Sequence, residues 1–405
     1  MNIFEHHKKE VALILDVGNG SIGVAVALLS SQETPMIIAS IRDLVLFDER
    51  PTGDKLQTII LEKINQSIPY ILERAFHHPY FKNNSKHIEK ILCVLSSPWF
   101  ISKGKTIIVS QDKTFVITER FLEDILAKEM SAFSAEVTTD SKNSAEYVSD
   151  LEVVEKSIIG NKINGYVLDS ALNQHTNHFE VSLYMSQAEK KFINGLSHIV
   201  SVYTHRGVAD MTFHTFPLIV FSCVRDMFPG VSDYLHLDIA GEITDIAWVS
   251  GTMIKKNISF PSGKNLLIRQ IAKHLHVPSE VARSFFHLYM DKRAEPSTER
   301  EIDAAIADAE KEWNIYIQDA LSSLSEGGTI AGLPIKIFIT AYPQTAEIFM
   351  QFLKKETIDE TAEWRRSLSV TYIGPDILSK LCVYDAHETF DAFLSLEATF
   401  LSKFV

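Results

Sequence analysis

The sequence predicts an α/β protein of two lobes around a cleft, with a smaller α+β unit inserted into the first lobe. Three observations predict this. A cassette of apolar strand, glycine turn and apolar strand occurs near the start, and a second occurs past the middle, at 234–249. The stretch between them, 111–204, carries strands and helices of its own, and the sequence beyond the second cassette is mostly helical. With 405 residues the chain is too long for one small core, so two or three domains are expected. Apolar residues make up 46% and charged residues 22%, an ordinary globular composition. A formal net charge of −13 argues against a dedicated nucleic-acid binder, which carries a basic face.

Val11 to Leu15 is a short apolar run of strand length. Asp16-Val17-Gly18-Asn19-Gly20-Ser21 breaks it with a glycine turn, and Ile22 to Leu29 resumes a strand, so the cassette reads as a hairpin. Leu56, Ile59, Ile60, Ile64, Ile68, Ile71, Leu72 and Phe76 have helical spacing within 54–78, with Pro69 a candidate kink. Lys90 to Leu95 is a buried strand ending at Ser96-Ser97-Pro98-Trp99. Thr118 caps a helix running to about Phe133, and the polar stretch 134–150 reads as an exposed loop. Strands follow at 152–158, 165–168 and 179–185, the last alternating Phe179, Val181, Leu183 and Met185 on one face. A helix at 187–203 completes this α+β unit.

Asp210–Phe216 is a strand, and Pro217 opens a helix. The second cassette runs Tyr234 to Leu237, then Asp238-Ile239-Ala240-Gly241-Glu242-Ile243-Thr244-Asp245, then Ile246 to Val249. Ser279 caps one helix, and Thr298 with Glu301 forms the capping box of a long one. The apolar face of that long helix is Ile302, Ile306, Ala309, Trp313, Ile317, Leu321 and Leu324. Strands at 335–340 and 368–373 and an apolar helix over 390–404 complete the pattern. That helix reads as core packing, because its polar face carries Glu388, Asp391 and Glu397 against one Lys403, where a membrane-surface helix is basic. Cys93, Cys223 and Cys382 sit far apart in apolar runs and read as buried small hydrophobes. His6, His7, His77 and His78 read as surface histidines, with no matching ligand set. No signal-peptide core follows Met1, and no run of about 20 apolar residues predicts a membrane span.

The paired cassettes carry the chemistry. Tight glycine turns expose backbone N–H groups, and such nests bind phosphate oxygens. Gly18, Asn19, Gly20 and Ser21 would cover one side of a polyphosphate, and Gly241, Glu242, Ile243 and Thr244 the other. Asp16 and Asp238, at the strand ends, would face Mg²⁺ through waters. Glu242 has two readings, a water-positioning residue or a solvated loop charge, and Asp245 reads as a turn support.

Asp16-x-Gly18-x-Gly20-Ser21 and Asp238-x-x-Gly241-x-x-Thr244-Asp245 resemble the two phosphate motifs of the actin-like ATPase superfamily, a duplicated ribonuclease H-like fold. Within it the layout is most similar to the branch of the cell-division protein FtsA and the pilus-assembly protein PilM, which carry a small inserted α+β domain called 1C. Ile163-Asn164-Gly165-Tyr166 also resembles a motif of FtsA-like 1C domains. The resemblance implies a first lobe at 1–110 plus 205–232, a 1C-like domain at 111–204, and a second lobe at 233–405 with a helical insertion about 275–330. It also implies ATP and Mg²⁺ as cofactors, with Ala341 and Tyr342 in place of the paired glycines of the adenosine motif. Ala341-Tyr342 would crowd the base and ribose, and Pro343 removes a donor.

The function so implied is a cytoplasmic assembly scaffold at a membrane-associated division or pilus machine, responsive to nucleotide and at most a weak ATPase. Its partners would be further copies of itself in a filament, and a peptide or cytoplasmic tail of a membrane protein bound through 111–204. Membrane contact would come through that partner, at the inner face of the cell membrane. Two rival readings are a pseudo-ATPase scaffold that has lost nucleotide binding, and a kinase or phosphohydrolase of the same superfamily.

Overall fold

The computed structural model describes residues 9–45, 53–143, 150–205, 207, 210–325, 330–355, 364 and 367–405. The chain opens with β1 (Glu10–Val17), β2 (Ser21–Leu29), β3 (Met36–Leu44), helix α1 (Gly53–Phe76) and β4 (Lys90–Leu95). An inserted unit follows, made of β5 (Ile101–Val116), α2 (Glu119–Asn143), β6 (Leu151–Ile163), β7 (Tyr166–Leu168), β8 (His175–Glu189) and α3 (Lys190–Thr204). The chain then returns through β9 (Met211–Thr215) and α4 (Phe216–Met227). The second lobe holds β10 (Asp233–Ile239), β11 (Thr244–Ser250), β12 (Met253–Phe260), α5 (Lys264–Leu275), α6 (Ser279–Met290), α7 (Pro296–Leu324), β13 (Lys336–Ala341), α8 (Pro343–Lys354) and β14 (Ser369–Tyr372). The two-residue β15 (Val383–Tyr384) and a closing helix, Ala392–Leu401, come last.

Among the described residues the strands form three sheets. The first has the order β15-β3-β2-β1-β4-β9 and the second β12-β11-β10-β13-β14. Each is built around an antiparallel hairpin whose first strand also pairs in parallel with a later strand, β1 with β4 and β10 with β13. The period of two sorts the side chains onto the two faces. In β1, Leu13, Leu15 and Val17 face α1 and α3, whereas Ala12 and Ile14 join the core around α4 and the closing helix. Tyr234, Ala247 and Phe338 of the second sheet join that same central core. The opposite face of the second sheet packs on α5 and α7, where Trp313 is wholly buried. Two sheets thus sandwich α4 and the closing helix. Phe393, Leu394, Leu396, Phe400 and Leu401 are buried there, each contributing roughly 1.5–3 kcal/mol.

The third sheet, β5-β8-β6-β7, bridges the other two. On the first-lobe side, buried Glu155 of β6 accepts from Thr215 Oγ1 at 2.7 Å and Ser186 Oγ at 2.9 Å, and lies 2.8 Å from His214 Nδ1. On the second-lobe side, Gly104 and Gly160 pack directly against Ile254 and Thr252 at the β11–β12 turn, where a Cβ would collide.

Several local expectations shift. The helix expected to stop near Phe133 runs to Asn143, so 134–143 is not loop; 144–149 lie outside the described residues. The hydroxyls that suggested a loop bond back within the helix, Ser134 to the Met130 carbonyl and Thr138 to the Ser134 carbonyl, while Phe133 and Val137 pack under Met185. Thr118 does cap it, accepting from Phe121 N at 3.2 Å. The long helix starts at Pro296, ahead of Thr298, because proline is pre-set for the first helical position. Likewise Ser279 is already the first residue of its helix. The three cysteines are buried. His77 is exposed and His78 half-buried, while His6 and His7 lie outside the described residues.

Candidate functional site

The two glycine turns meet at the junction of the lobes. A Cβ built on Gly20 would run into the Gly241 Cα, and one built on Gly241 would run into the Gly20 Cα. Only a pair of glycines lets the backbones approach so closely. Asn19, wholly buried, locks them together. Its side chain donates to the Ser97 carbonyl at 2.7 Å and accepts from the N–H groups of Glu242 at 2.6 Å and Ile243 at 3.3 Å. Those are donors that the second turn would offer to a phosphate. The N–H groups of Lys264 and Asn265, which open α5, donate to the Ala240 and Gly241 carbonyls at 2.9 Å each. Trp99 Nε1 donates to the Gly18 carbonyl at 2.9 Å, and Thr244 Oγ1 to the Ser262 carbonyl at 2.6 Å.

The two strand-end carboxylates are also engaged. Asp16 pairs with Arg42, Oδ2 to Nη1 at 2.7 Å, and the same guanidinium binds Asp391 through Nε and Nη2. Burial pushes Asp16 above the ordinary carboxylate value, against the pull of Arg42. Asp238 accepts from Thr340 Oγ1 at 2.7 Å, and Thr340 in turn lies 3.0 Å from His236 Nε2. Thr340 spends its proton on Asp238, so His236 is the donor to Thr340. Burial alone pushes His236 down to about 3, which keeps it neutral in that role. Burial, then the nearby Asp245, pushes Asp238 well up. Asp245 accepts from Ser259 and holds the turn.

Glu242 is not a solvated loop charge. It is buried, with both carboxylate oxygens 2.9 Å from Arg269 Nη1 and one accepting from Asn265 Nδ2 at 2.8 Å. Tyr342, at the end of β13, reaches across the cleft to hydrogen-bond Ser21, and Lys264 Nζ lies 3.2 Å from its ring centroid. Burial raises the Tyr342 hydroxyl to about 12. Ala341 is buried with its carbonyl accepting from Tyr372 at 3.3 Å. A triphosphate with Mg²⁺ does not fit this arrangement. The turns touch, Asn19 holds two of their donors, Arg42 holds Asp16, and Tyr342 spans to Ser21. Among the described residues no group of three or more His, Cys, Asp or Glu side chains converges to hold a metal ion.

A second concave feature lies between β6 and β9. Among the described residues β9 is the edge strand of its sheet and β7 pairs only with Asn161, Lys162 and Ile163 of β6, while Glu155 of β6 bridges to His214 and Thr215 of β9. One end of the groove, about 380 Å³, is lined by Val154, Ile193 and Phe213. The adjoining end, about 520 Å³, is lined by Ile158, Leu218, Phe221, Phe400 and Phe404.

No protein-family model matches the chain, and no curated protein matches it. Among solved structures, a chain of the PilM–PilN type IV pilus biogenesis complex superposes with a TM-score of 0.56 at 11% identity, over 96% of each chain. The fold is actin-like. Looser matches are the ethanolamine utilization protein EutJ from Carboxydothermus hydrogenoformans (TM-score 0.44, 11% identity, 90% of this chain and 84% of that) and a protein of unknown function with an actin-like ATPase fold from Bacteroides thetaiotaomicron (TM-score 0.39, 11% identity, 99% of each chain). The actin-like architecture explains why the turns of two distant hairpins face each other. Sequence reasoning found those turns but missed Arg42, Asn265, Arg269 and Asp391, which occupy them. The one available signal was Gly23, a glycine inside an apolar strand, which marks a close approach.

Proposed function

We propose that this chain is an actin-like scaffold that docks an extended segment of a membrane-associated partner and works with its phosphate turns closed. The groove along the edge strand β9, where β6 approaches it, carries this reading. An extended peptide adds to an exposed strand edge through main-chain hydrogen bonds, and alternate side chains enter pockets. This groove offers both, at the seam where the inserted unit that the sequence nominated for partner binding meets β9, α4 and the closing helix. The PilM–PilN complex is an assembly of type IV pilus biogenesis, and a pilus machine is the setting we favour. Among the described residues no helix is long and apolar enough to cross a membrane.

The pseudo-ATPase form of the scaffold is favoured over the nucleotide-responsive one by the Asn19 contacts. With Asp16 bound to Arg42 and Glu242 to Arg269, the reading leaves no metal holder and no water-positioning base. Our reading assigns self-association to β7, supported by its edge position and by Tyr166, Val167 and Leu168 being 76%, 59% and 37% exposed.

A photo-crosslinker at Thr212 in the groove tests docking in cells, with one at Glu347 as control. The expected result is a crosslink from Thr212 alone to a membrane protein, whose matching peptide then binds the purified chain and is lost in Phe221→Asp. Equal crosslinking from both positions, or a peptide indifferent to Phe221→Asp, overturns the reading. Calorimetry with Mg-ATP tests the other half: micromolar binding would restore the nucleotide switch.

A further inference from the structure

A cavity of about 710 Å³ opens where the lobes meet beyond Tyr342. That is within the range of about 300–1,000 Å³ that holds small organic ligands. Much of its wall is apolar: Ile41 and Leu44 of β3, Ile268 of α5, Phe286 of α6, and Phe390 and Phe393 ahead of and within the closing helix. Ala341, Tyr342 and Pro343, at the adenosine-motif position, line it, and none of the residues of the two phosphate turns does.

Four long cationic side chains do, and they divide into two pairs. Arg42 is committed to Asp16 and Asp391, and Arg74 to Glu388. Lys264 and Arg283 have no carboxylate within ion-pair distance among the described residues. Lys264 is 93% removed from solvent and rests on the Tyr342 ring. Burial and the neighbouring Arg42 and Arg283 push its ammonium well below the usual lysine value. A buried cation without a counter-ion is costly, and an anion beside it removes that cost. A second unpaired group borders the cavity: Asn265 is 1% exposed, and its Oδ1 has no hydrogen-bond donor among the described residues.

We infer that this cavity binds a small organic anion with an apolar body, its charged head between Lys264 and Arg283, its body against Ile41, Leu44, Ile268, Phe286, Phe390 and Phe393, and a donor group on Asn265 Oδ1. The ligand is not a nucleoside triphosphate, because the phosphate turns lie outside the cavity and are closed on each other. The inference does not rest on the partner groove, which lies between other elements.

The test uses 8-anilinonaphthalene-1-sulfonate, an aromatic sulfonate, as the probe with the full chain, read by fluorescence and by calorimetry. One saturable site per chain is expected. Lys264→Met and Arg283→Met should each weaken it at least tenfold while leaving the melting temperature within a few degrees of the parent. If Lys264→Met does not fold, the half-buried Arg283 decides. Absence of a saturable site overturns the inference, as does a site whose affinity neither substitution changes. Displacement of the probe by micromolar Mg-ATP also overturns it, by showing the cavity to be a nucleotide site. Failure of the groove crosslink would leave this result untouched.

Discussion

Arg42 reaches Asp16 from two strands away, across the one position of the intervening strand that has no side chain. In register, Asp16 of β1 pairs with Gly23 of β2, and Gly23 pairs with Arg42 of β3. A Cβ on Gly23 would press into the Arg42 guanidinium. The glycine therefore creates a channel through which a cation lies over the sheet and neutralises the carboxylate that, in the sequence, looked like a metal holder. Asp391, at the N-cap of the closing helix, takes the other edge of the same guanidinium and accepts from Phe393 N and Leu394 N. One arginine thus ties the first hairpin to the helix sandwiched between the lobes.

Removing Arg42 strands buried Asp16 and takes one partner from half-buried Asp391, which keeps Phe393 N and Leu394 N. Arg42→Leu should cost about 3–5 kcal/mol, because breaking a buried pair leaves uncompensated charge. The double variant Arg42→Leu with Asp16→Leu should recover part of that loss. Urea denaturation of the single and double variants measures both, and a single variant within about 1 kcal/mol of the parent would contradict a structural role for the triad.

Gly20→Ala should separate the turns. The new methyl would meet backbone, which cannot rotate away, so the expected loss is about 1–3 kcal/mol. Asn19→Ala should cost about 1–3 kcal/mol by a different route, leaving the Glu242 and Ile243 N–H groups unpaired in a buried place. Denaturant midpoints in the two variants check this, and thermal shifts with Mg-ATP should stay flat in the parent.

How much of this was legible follows from range. The hairpin turns, the apolar face of α7 and the closing helix are local patterns, and they stood out from periodicity and glycine spacing. β3 and β5 did not. Ile38-Ala39-Ser40-Ile41-Arg42 alternates too weakly to mark a strand, and β5 is a long strand of mostly half-exposed and exposed residues, with Lys103, Lys105, Asp112 and Lys113 among them. Missing β3 hid Arg42, and with it the fate of Asp16. Arg269 on Glu242 and Asn19 on Ile243 are contacts between distant segments, which no window of a single sequence contains. Tyr342 stands out locally as a large side chain at the end of a strand, but its reach to Ser21, 321 residues away, is again a contact between distant segments.

Glu397 makes a pH-dependent prediction. It is wholly buried on the closing helix, with neither carboxylate oxygen hydrogen-bonded among the described residues. Burial first, then the negative neighbours Asp16, Asp391 and Asp238, push it well above the ordinary value of 4.5. An acid whose value is raised by folding binds its proton more tightly in the native state. Its contribution to stability is therefore full below 4.5 and is lost as pH rises toward the folded value. Each unit of that rise weakens the fold by about 1.4 kcal/mol. Glu397→Gln mimics the neutral acid and should flatten the decline. Melting temperatures from pH 5 to pH 9 should fall more steeply in the parent than in the variant; parallel curves would show that Glu397 does not titrate in this way.

Self-association is expected at the edge strand β7. Sheet edges with exposed apolar side chains pair with other chains unless charge guards them, and Tyr166-Val167-Leu168 carries none. Only three residues of β7 bond to β6, so its outer side offers a short template. Val167→Lys places a charge there without touching a buried neighbour, since Val167 is 59% exposed. Surface substitutions of this kind stay within about 0.5 kcal/mol in stability, so the fold is expected to survive. Sedimentation of the parent should show concentration-dependent association, and the Val167→Lys chain should remain monomeric at the same concentrations. If the parent sediments as a monomer throughout, or if the variant associates as strongly, self-association is not built on this edge, and the scaffold then acts through its groove alone.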